Sequence, residues 1–168
     1  MSSILKVDQL QDSGGNAIIT SDGSGNITTG TGMGKVLQVV QGSNDGSVST
    51  TSTSFVDITS VTASITPISS SNKIMVIYSS DALYSLVSGV NVTYKHEVLR
   101  DSTSLGQRGL TSASSAGGLQ ARGAMSFTIL DSPSSTATLV YKAQHRVSNG
   151  SSTGQALDTS IVLMEVSA

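Results

Sequence analysis

The strongest constraint on the fold is the stretch 124–147, in which two alternating segments flank a polar break. Met125 and Phe127 lie on one face of the first segment, and Tyr141 lies with small and aliphatic residues on one face of the second. A period of two residues is typical of half-buried β-strands. Pro133, which has no backbone N–H, marks the break, so the stretch predicts a β-hairpin. A hairpin with one apolar face is unstable alone in water, so the remaining chain must supply an opposing layer.

Further strand-like runs occur at fairly regular spacing along the chain. They cover residues 36–40, 55–65, 73–78, 91–100 and 159–166, and a short return strand begins at residue 105. Residues 41–53 are interpreted as a polar loop, and residues 82–90 fit either a loop or a strand. About eight strands and no helix predict an all-β antiparallel sandwich. A jelly roll is preferred because the first and last strands both look buried, and an immunoglobulin-like sandwich and a small barrel are the alternatives.

Residues 1–34 differ from the rest, which defines an N-terminal arm (1–34) and a head domain (35–168). Two similar turns, residues 12–16 and 22–26, begin with aspartate, contain glycine, end with asparagine and lead into β-branched residues. One such unit has too few apolar side chains to offset chain entropy, so its order requires copies of itself or a partner. The glycine-rich residues 30–34 predict a hinge. We expect the arm, as an attachment element or short shaft, to make contacts through Ile4, Leu5, Val7, Leu10, Ile18, Ile19 and Ile27.

The composition excludes several classes of function. Charged residues make up 12% of the chain, about half of the ~25% that is typical of soluble domains, and the net charge is -2. No basic block points to nucleic acid or to an anionic membrane surface. The longest apolar runs are far too short to cross a membrane, and the N-terminus has no signal-peptide pattern, so no membrane insertion is expected. The chain has no cysteine, so disulfides and thiolate metal sites are excluded.

Motifs for catalysis or cofactor binding are incomplete. Residues 30–35 resemble a phosphate-binding loop superficially, but Val36 stands where a serine or threonine would meet magnesium. His96 and His145, the only two histidines, lie in the apolar phase of their strands without nearby ligands. A role inside the core or at an interface is favoured over a metal site built by three chains around a threefold axis. The sequence therefore predicts no enzyme, no cofactor and no metal.

The segment 74–78 is apolar on both faces, which is typical of a central strand or of a strand at a subunit interface. With few charges and no disulfide or metal, the head is expected to gain stability by burying apolar surface as a homotrimer. The predicted trimer interface consists of Ile74, Val76, Tyr78, His96 and His145.

Several short motifs stand out along the chain. They are Leu130-Asp-Ser-Pro133 with Thr138-Leu-Val-Tyr-Lys142, Leu99-Arg-Asp-Ser-Thr103, Ser70-Ser-Asn-Lys-Ile74, Ile161-Val-Leu-Met-Glu-Val166, and the opening Ile4-Leu-Lys-Val-Asp8 with Gln11-Asp-Ser-Gly-Gly-Asn16. These motifs resemble those of virion proteins of tailed bacteriophages of the marine-phage type. The resemblance implies a trimeric jelly-roll head, like that of tumour necrosis factor and complement-type globular domains, at the surface of a virus particle.

The resemblance implies a structural role in the virion, as a capsid-decoration (cement) protein or a short head fibre that binds other virion proteins through its arm. The alternative is a receptor-binding tail-fibre tip that recognises a glycan or protein on the host surface.

Overall fold

The computed structural model describes residues 7–29, 35–114 and 118–167. The chain forms two compact units, Met1–Lys35 and Val36–Ala168. The described residues contain eleven strands and no helix, and hence no helix that could cross a membrane. Ile4 and Leu5 of the predicted arm contacts, and the predicted hinge at residues 30–34, lie outside the described residues.

The strands have the following bounds. The first unit contains β1 (Gln9–Gln11), β2 (Ala17–Ser21) and β3 (Ile27–Thr29), which form an antiparallel sheet in that order. The second unit, the head, contains β4 (Val36–Thr50), β5 (Val56–Ile65), β6 (Lys73–Ser85), β7 (Val92–Arg100), β8 (Thr103–Ser112), β9 (Gln120–Asp131), β10 (Leu139–Val147) and β11 (Gly154–Val166).

The head is an antiparallel β-sandwich, as the sequence predicts. One sheet has the order β5-β10-β7-β8 and the other has the order β4-β11-β6-β9. Apart from the β7–β8 hairpin, every connection between consecutive head strands crosses from one sheet to the other, which is the strand order of a jelly roll. The first head strand, β4, is at an edge and pairs with the last, β11, which has β6 on its other side.

The predicted hairpin at residues 124–147 is wrong in one respect, although both of its strands are present. β9 pairs with β6 in one sheet, and β10 lies between β5 and β7 in the other. The seven residues around Pro133 therefore carry the chain across the sandwich. The apolar faces of β9 and β10 therefore face each other across the core from different sheets. Each face is buried more fully in this arrangement than it would be if the two strands were neighbours in one sheet.

Two other expectations also change. Most of the predicted polar loop 41–53 belongs to β4, which continues to Thr50, and the ambiguous segment 82–90 extends β6 as far as Ser85. Both extensions are hydrogen-bonded along β11. These polar residues can be part of the strands because pairing with the neighbouring strand satisfies the hydrogen-bonding capacity of the backbone, which does not depend on the side chains.

The core lies between the sheets and is filled by alternate residues of the strands. Its largest fully buried side chains include four tyrosines and two histidines. Glycine is required where the packing is closest: a Cβ on Gly154 would lie 2.4 Å from the ring of Tyr94, and a Cβ on Gly42 would lie 2.0 Å from the carbonyl oxygen of Thr62. The second contact brings the edge strands β4 and β5 together and closes that side of the sandwich.

Candidate functional site

The two turns of the N-terminal unit have the same local structure. In the first, Asp12 Oδ1 accepts hydrogen bonds from the backbone N–H groups of Gly14 and Asn16, at 2.8 and 2.9 Å. In the second, Asp22 Oδ1 accepts from the backbone of Ser24 and Asn26, at 2.8 and 3.2 Å. In both turns the asparagine side chain also donates to the aspartate. Hydrogen bonds from Asn16 and Asn26 hold the pKa values of the two carboxyl groups below their usual range.

These turns present apolar side chains that the small sheet does not cover. Val7, Leu10, Ile19 and Ile27 line a groove of about 370 Å³ and are exposed, Ile27 by 68%. Leu10 is directly opposite Ile19 on the neighbouring strand, so their side chains share one face of the sheet. Ile18 lies on the other face and is half-buried. The described arm residues therefore form an apolar surface rather than a closed core.

The five residues predicted for the trimer interface lie elsewhere. Ile74, Val76, Tyr78, His96 and His145 are each at most 1% exposed. They belong to the phase of β6, β7 and β10 that faces the opposite sheet, so none of them offers surface to a second subunit. The interface assignment of these side chains is therefore corrected: they form part of the core of a single chain.

The two histidines form a buried pair with two tyrosines. His96 and His145 are directly opposite on β7 and β10, and their ring centroids are 6.0 Å apart. The Tyr78 hydroxyl is 2.5 Å from His96 Nδ1, and the Tyr94 hydroxyl is 2.7 Å from His145 Nδ1. Neither Nε2 atom has a hydrogen-bond partner among the described residues. The pair is enclosed by the core and cannot touch a substrate.

The environment keeps both imidazoles neutral. Burial, together with neighbouring His145, lowers the pKa of His96 to about 3, and burial lowers the pKa of His145 to about 4. Burial also raises the pKa values of Tyr78 and Tyr94. The described residues contain no cluster of three or more histidine, cysteine or acidic residues that could hold a metal ion.

The outer side of the β4-β11-β6-β9 sheet has an unusual composition. Three adjacent rows of four residues cross all four strands: Val39-Met164-Met75-Leu130, Gln41-Val162-Ile77-Thr128 and Ser43-Ser160-Ser79-Ser126. We call these twelve residues the uncharged face. Val39 and Leu130 at its two sides are 53% and 54% exposed. None of the twelve residues is charged; along β6 the nearest charged residues are Lys73 beyond one end of the rows and Asp81, which forms an ion pair with Arg122, beyond the other.

The outer side of the other sheet provides a direct comparison. There a single row contains Asp57, Gln144, Glu97 and Gln107. Lys142 forms an ion pair with Asp57 at 2.9 Å, and Gln144 donates to the same carboxylate at 2.6 Å. Water solvates such a surface well, so the uncharged face is the head surface that gains more from being covered.

Sequence reasoning placed the candidate interface on the phase of β6 that the structure buries in the core. The alternation that places Val76 inside places Met75 and Ile77 outside, and the same holds for Val162 and Met164 on β11. The apolar character of both phases was visible in the sequence. The strand order that brings these residues beside Val39 and Leu130 could not be predicted from the sequence, because it depends on pairings between distant segments.

Comparison with known proteins gives limited information. No protein-family model matches the chain, and a search of curated proteins finds no match. Among solved structures, the chain is similar to a chain of infectious bursal disease virus of the Gx strain, with 15% identity and a TM-score of 0.43, over 82% of this chain and 33% of that one. It is also similar to a chain of the Gt strain, with 14% identity and a TM-score of 0.41, over 83% of this chain and 33% of that one. It is also similar to the VP2 subviral particle of that virus (15%, 0.36, 85% and 42%). The chain thus spans less than half the length of these solved chains, and the fold assignment depends only on its own strand order and register.

Proposed function

We propose that this protein is a structural component of a virus particle, a homotrimer that is anchored to the particle through its N-terminal unit. The observation that carries the proposal is that each unit has an uncharged surface on which apolar side chains are exposed. On the head it is the uncharged face, and on the N-terminal unit it is the surface of Val7, Leu10, Ile19 and Ile27. Each surface requires a partner, and the two require different ones.

The uncharged face fits a second copy of the same chain. Around a threefold axis, residues close to the axis meet their own copies from the other two chains, so a charge there would repel itself, and this face has no charge within its three rows. Four strands and three rows measure ~19 Å by ~20 Å, a footprint on the order of 400 Å². A standard interface buries ~800 Å² on each partner, so the face supplies the centre of a contact and neighbouring edge strands supply the remainder.

The N-terminal unit fits the particle. Three short strands with one uncovered apolar side gain little stability alone, and binding to a large surface would stabilise them. The assignment to a virion of the tailed-phage type comes from the sequence motifs that resemble such proteins. Of the roles that this resemblance implies, capsid decoration or a short head fibre needs only these two surfaces. A receptor-binding tip would need a further recognition site.

Light scattering coupled to size-exclusion chromatography tests the trimer. We expect three times the chain mass of 17.1 kDa at micromolar concentration. Met75→Lys places a charge within the uncharged face and should yield monomers that remain folded. Val140→Lys is the matched control, because Val140 is a partly exposed valine on the outer side of the other sheet, and it should remain trimeric. A monomeric wild type, or a Met75→Lys trimer, would contradict the proposal.

Binding to particles prepared without the protein tests the anchor. A chain that begins at Lys35 should remain trimeric and fail to bind particles. Ile19→Ser combined with Ile27→Ser should weaken binding in the full chain, whereas Thr20→Ala with Thr28→Ala, on the opposite face of the same sheet, should not. If the truncated head decorates particles normally, the anchor lies in the head. If a particle carries only a few copies, located at its tail, the receptor-binding alternative replaces decoration.

A further inference from the structure

We propose that the His96–His145 pair is an acid-sensitive element, which makes the head open cooperatively in mildly acidic solution. The proposal concerns the head itself and does not depend on the identity of the particle. It starts from the arrangement of the four rings, in which each imidazole has one tyrosine hydroxyl as its hydrogen-bond partner and one Nε2 atom without a partner among the described residues.

The arrangement can hold neutral histidines only. An imidazolium has two N–H donors, and each of these rings has a single partner, the tyrosine oxygen at Nδ1. Whichever tautomer is present, protonation therefore leaves one buried N–H without an acceptor and a positive charge without a counterion. Each of these effects disfavours the folded state.

No charge that the structure describes near the pair relieves this penalty. The titratable groups that face the pair are the hydroxyls of Tyr78 on β6 and Tyr94 on β7, and the guanidinium of Arg108 on β8. Arg108 is directly opposite His96 and lies over the ring of Phe127 on β9, 5.4 Å from its centroid, so it opposes a further positive charge. From β5 the residue opposite His145 is Val56, and its neighbour Asp57 binds Lys142 and Gln144 on the outer side of the sheet.

Glu97, the buried carboxylate beside His96 in the chain, lies on the outer side of the sheet, where Ser104 and Gln107 donate hydrogen bonds to it. The other buried carboxylates are too far away. Asp131 on β9 and Glu165 on β11 both lie in the row of Ile74, four residues along β6 from Tyr78. At ~3.3 Å per residue this is a separation of about 13 Å along the strands. Asp131 is also bonded to Arg100 and Tyr141, and Glu165 to Gln38, Ile68 and Asn72.

The sign and the range of the effect follow from proton linkage. Both histidines bind protons in the folded head only below their depressed pKa values of about 3 and 4, whereas unfolded histidine binds them below about 6.5. Unfolding therefore takes up protons as the pH falls below 6.5, and stability that is complete above this value is lost towards the folded pKa values. Each histidine raises the unfolding constant about tenfold per pH unit, so the pair raises it about a hundredfold.

The assay is equilibrium unfolding of the full chain in guanidinium, followed by circular dichroism at fixed protein concentration from pH 8 to pH 4.5. We expect the unfolding constant to rise roughly 10³-fold or more between pH 6.5 and 4.5 in the wild type. His96→Gln and His145→Gln should each reduce the slope to about tenfold per pH unit, and the double variant should be nearly flat. Because these are the only histidines, no other imidazole contributes.

Asp57→Asn is the control for carboxylates, which titrate below this range, and it should leave the slope unchanged. A wild type with no slope, or a slope that persists in the double variant, would overturn the proposal. If the double variant does not fold, NMR titration of the wild-type histidine rings decides: they should show no titration near pH 6.5 while the head is folded. A folded-state titration at that pH would overturn the proposal as well.

Discussion

Glu165 offers a direct test of how the head uses a buried charge. Its side chain is fully buried on β11, and it accepts hydrogen bonds from the backbone of Ile68 at 2.8 Å, Asn72 Nδ2 at 2.6 Å and Gln38 Nε2 at 2.5 Å. These bonds connect the loop between β5 and β6, and strand β4, to the end of β11. Burial opposes ionisation, but the donors, Asn72 foremost, hold the pKa of Glu165 below its usual value.

Glu165→Gln keeps the shape and removes the charge. The retained oxygen can still accept from Ile68 and Asn72, but these two bonds change from charged to neutral, at a cost of about 1 kcal/mol each. The new amide N–H group meets the Gln38 donor, so the third bond, worth about 1–2 kcal/mol, is lost. Since a neutral amide is easier to bury than a carboxylate, part of the loss is recovered. We expect a net destabilisation of about 2–3 kcal/mol at pH 7.

Urea unfolding, followed by circular dichroism, measures this difference. The control is Asp57→Asn, which removes a carboxylate that is 56% exposed and should cost less than about 1 kcal/mol. Because the pKa of Glu165 is depressed, its stabilising effect is present above pH 4.5 and is lost as the pH falls through the folded pKa. The gap between Glu165→Gln and wild type should therefore narrow in acid. A cost below 0.5 kcal/mol at pH 7, or a gap that stays constant in acid, refutes this account.

Other substitutions test separate features of the head by the same unfolding assay. Gly42→Ala should cost about 3 kcal/mol or more, because its Cβ would lie 2.0 Å from the Thr62 carbonyl oxygen; an unchanged unfolding midpoint would show that the two edges do not meet there. Tyr141→Phe removes the 2.6 Å hydrogen bond to Asp131 and should cost about 1–3 kcal/mol; an unchanged unfolding midpoint would show that this bond does not stabilise the head. Ser60→Gly should leave stability unchanged or raise it by up to about 1 kcal/mol, since Ser60 has a φ of 68°; a clear loss would mean that its side chain contributes more than the strained backbone costs.

Alternation along the chain was sufficient to predict the all-β sandwich and the faces of most strands. Met125 and Phe127 face the core, as does Tyr141, because a two-residue period determines which side chains share a face whatever the neighbouring strand. Alternation does not determine which strand pairs with which. Two adjacent segments with one apolar face each fit a hairpin or two facing layers equally well, and only the pairings of β9 with β6 and of β10 with β7 distinguish them.

The same limit applies to the candidate surfaces. The apolar phases of β6 and β11 were visible in the sequence, but the choice of which phase faces inward required the opposite sheet. Polar residues that continue a strand, such as those that take β4 to Thr50, carry no apolar period and are indistinguishable from a loop in the sequence. The Nε2 atoms of the two buried histidines have no partner among the described residues. No sequence signal predicted this, because the surroundings of each ring are set by residues distant in sequence.

The position of β11 has a consequence for synthesis of the chain on the ribosome. Strands β4 and β6 are made early, yet each pairs with β11, which lies between them and is made last. Their sheet therefore lacks one of its two central strands until residues 154–166 leave the exit tunnel, and the ladder edges of β4 and β6 remain unpaired until then. A chain that stops before this point exposes both edges together with the apolar core, so incomplete chains should aggregate or be degraded instead of competing with complete heads for assembly.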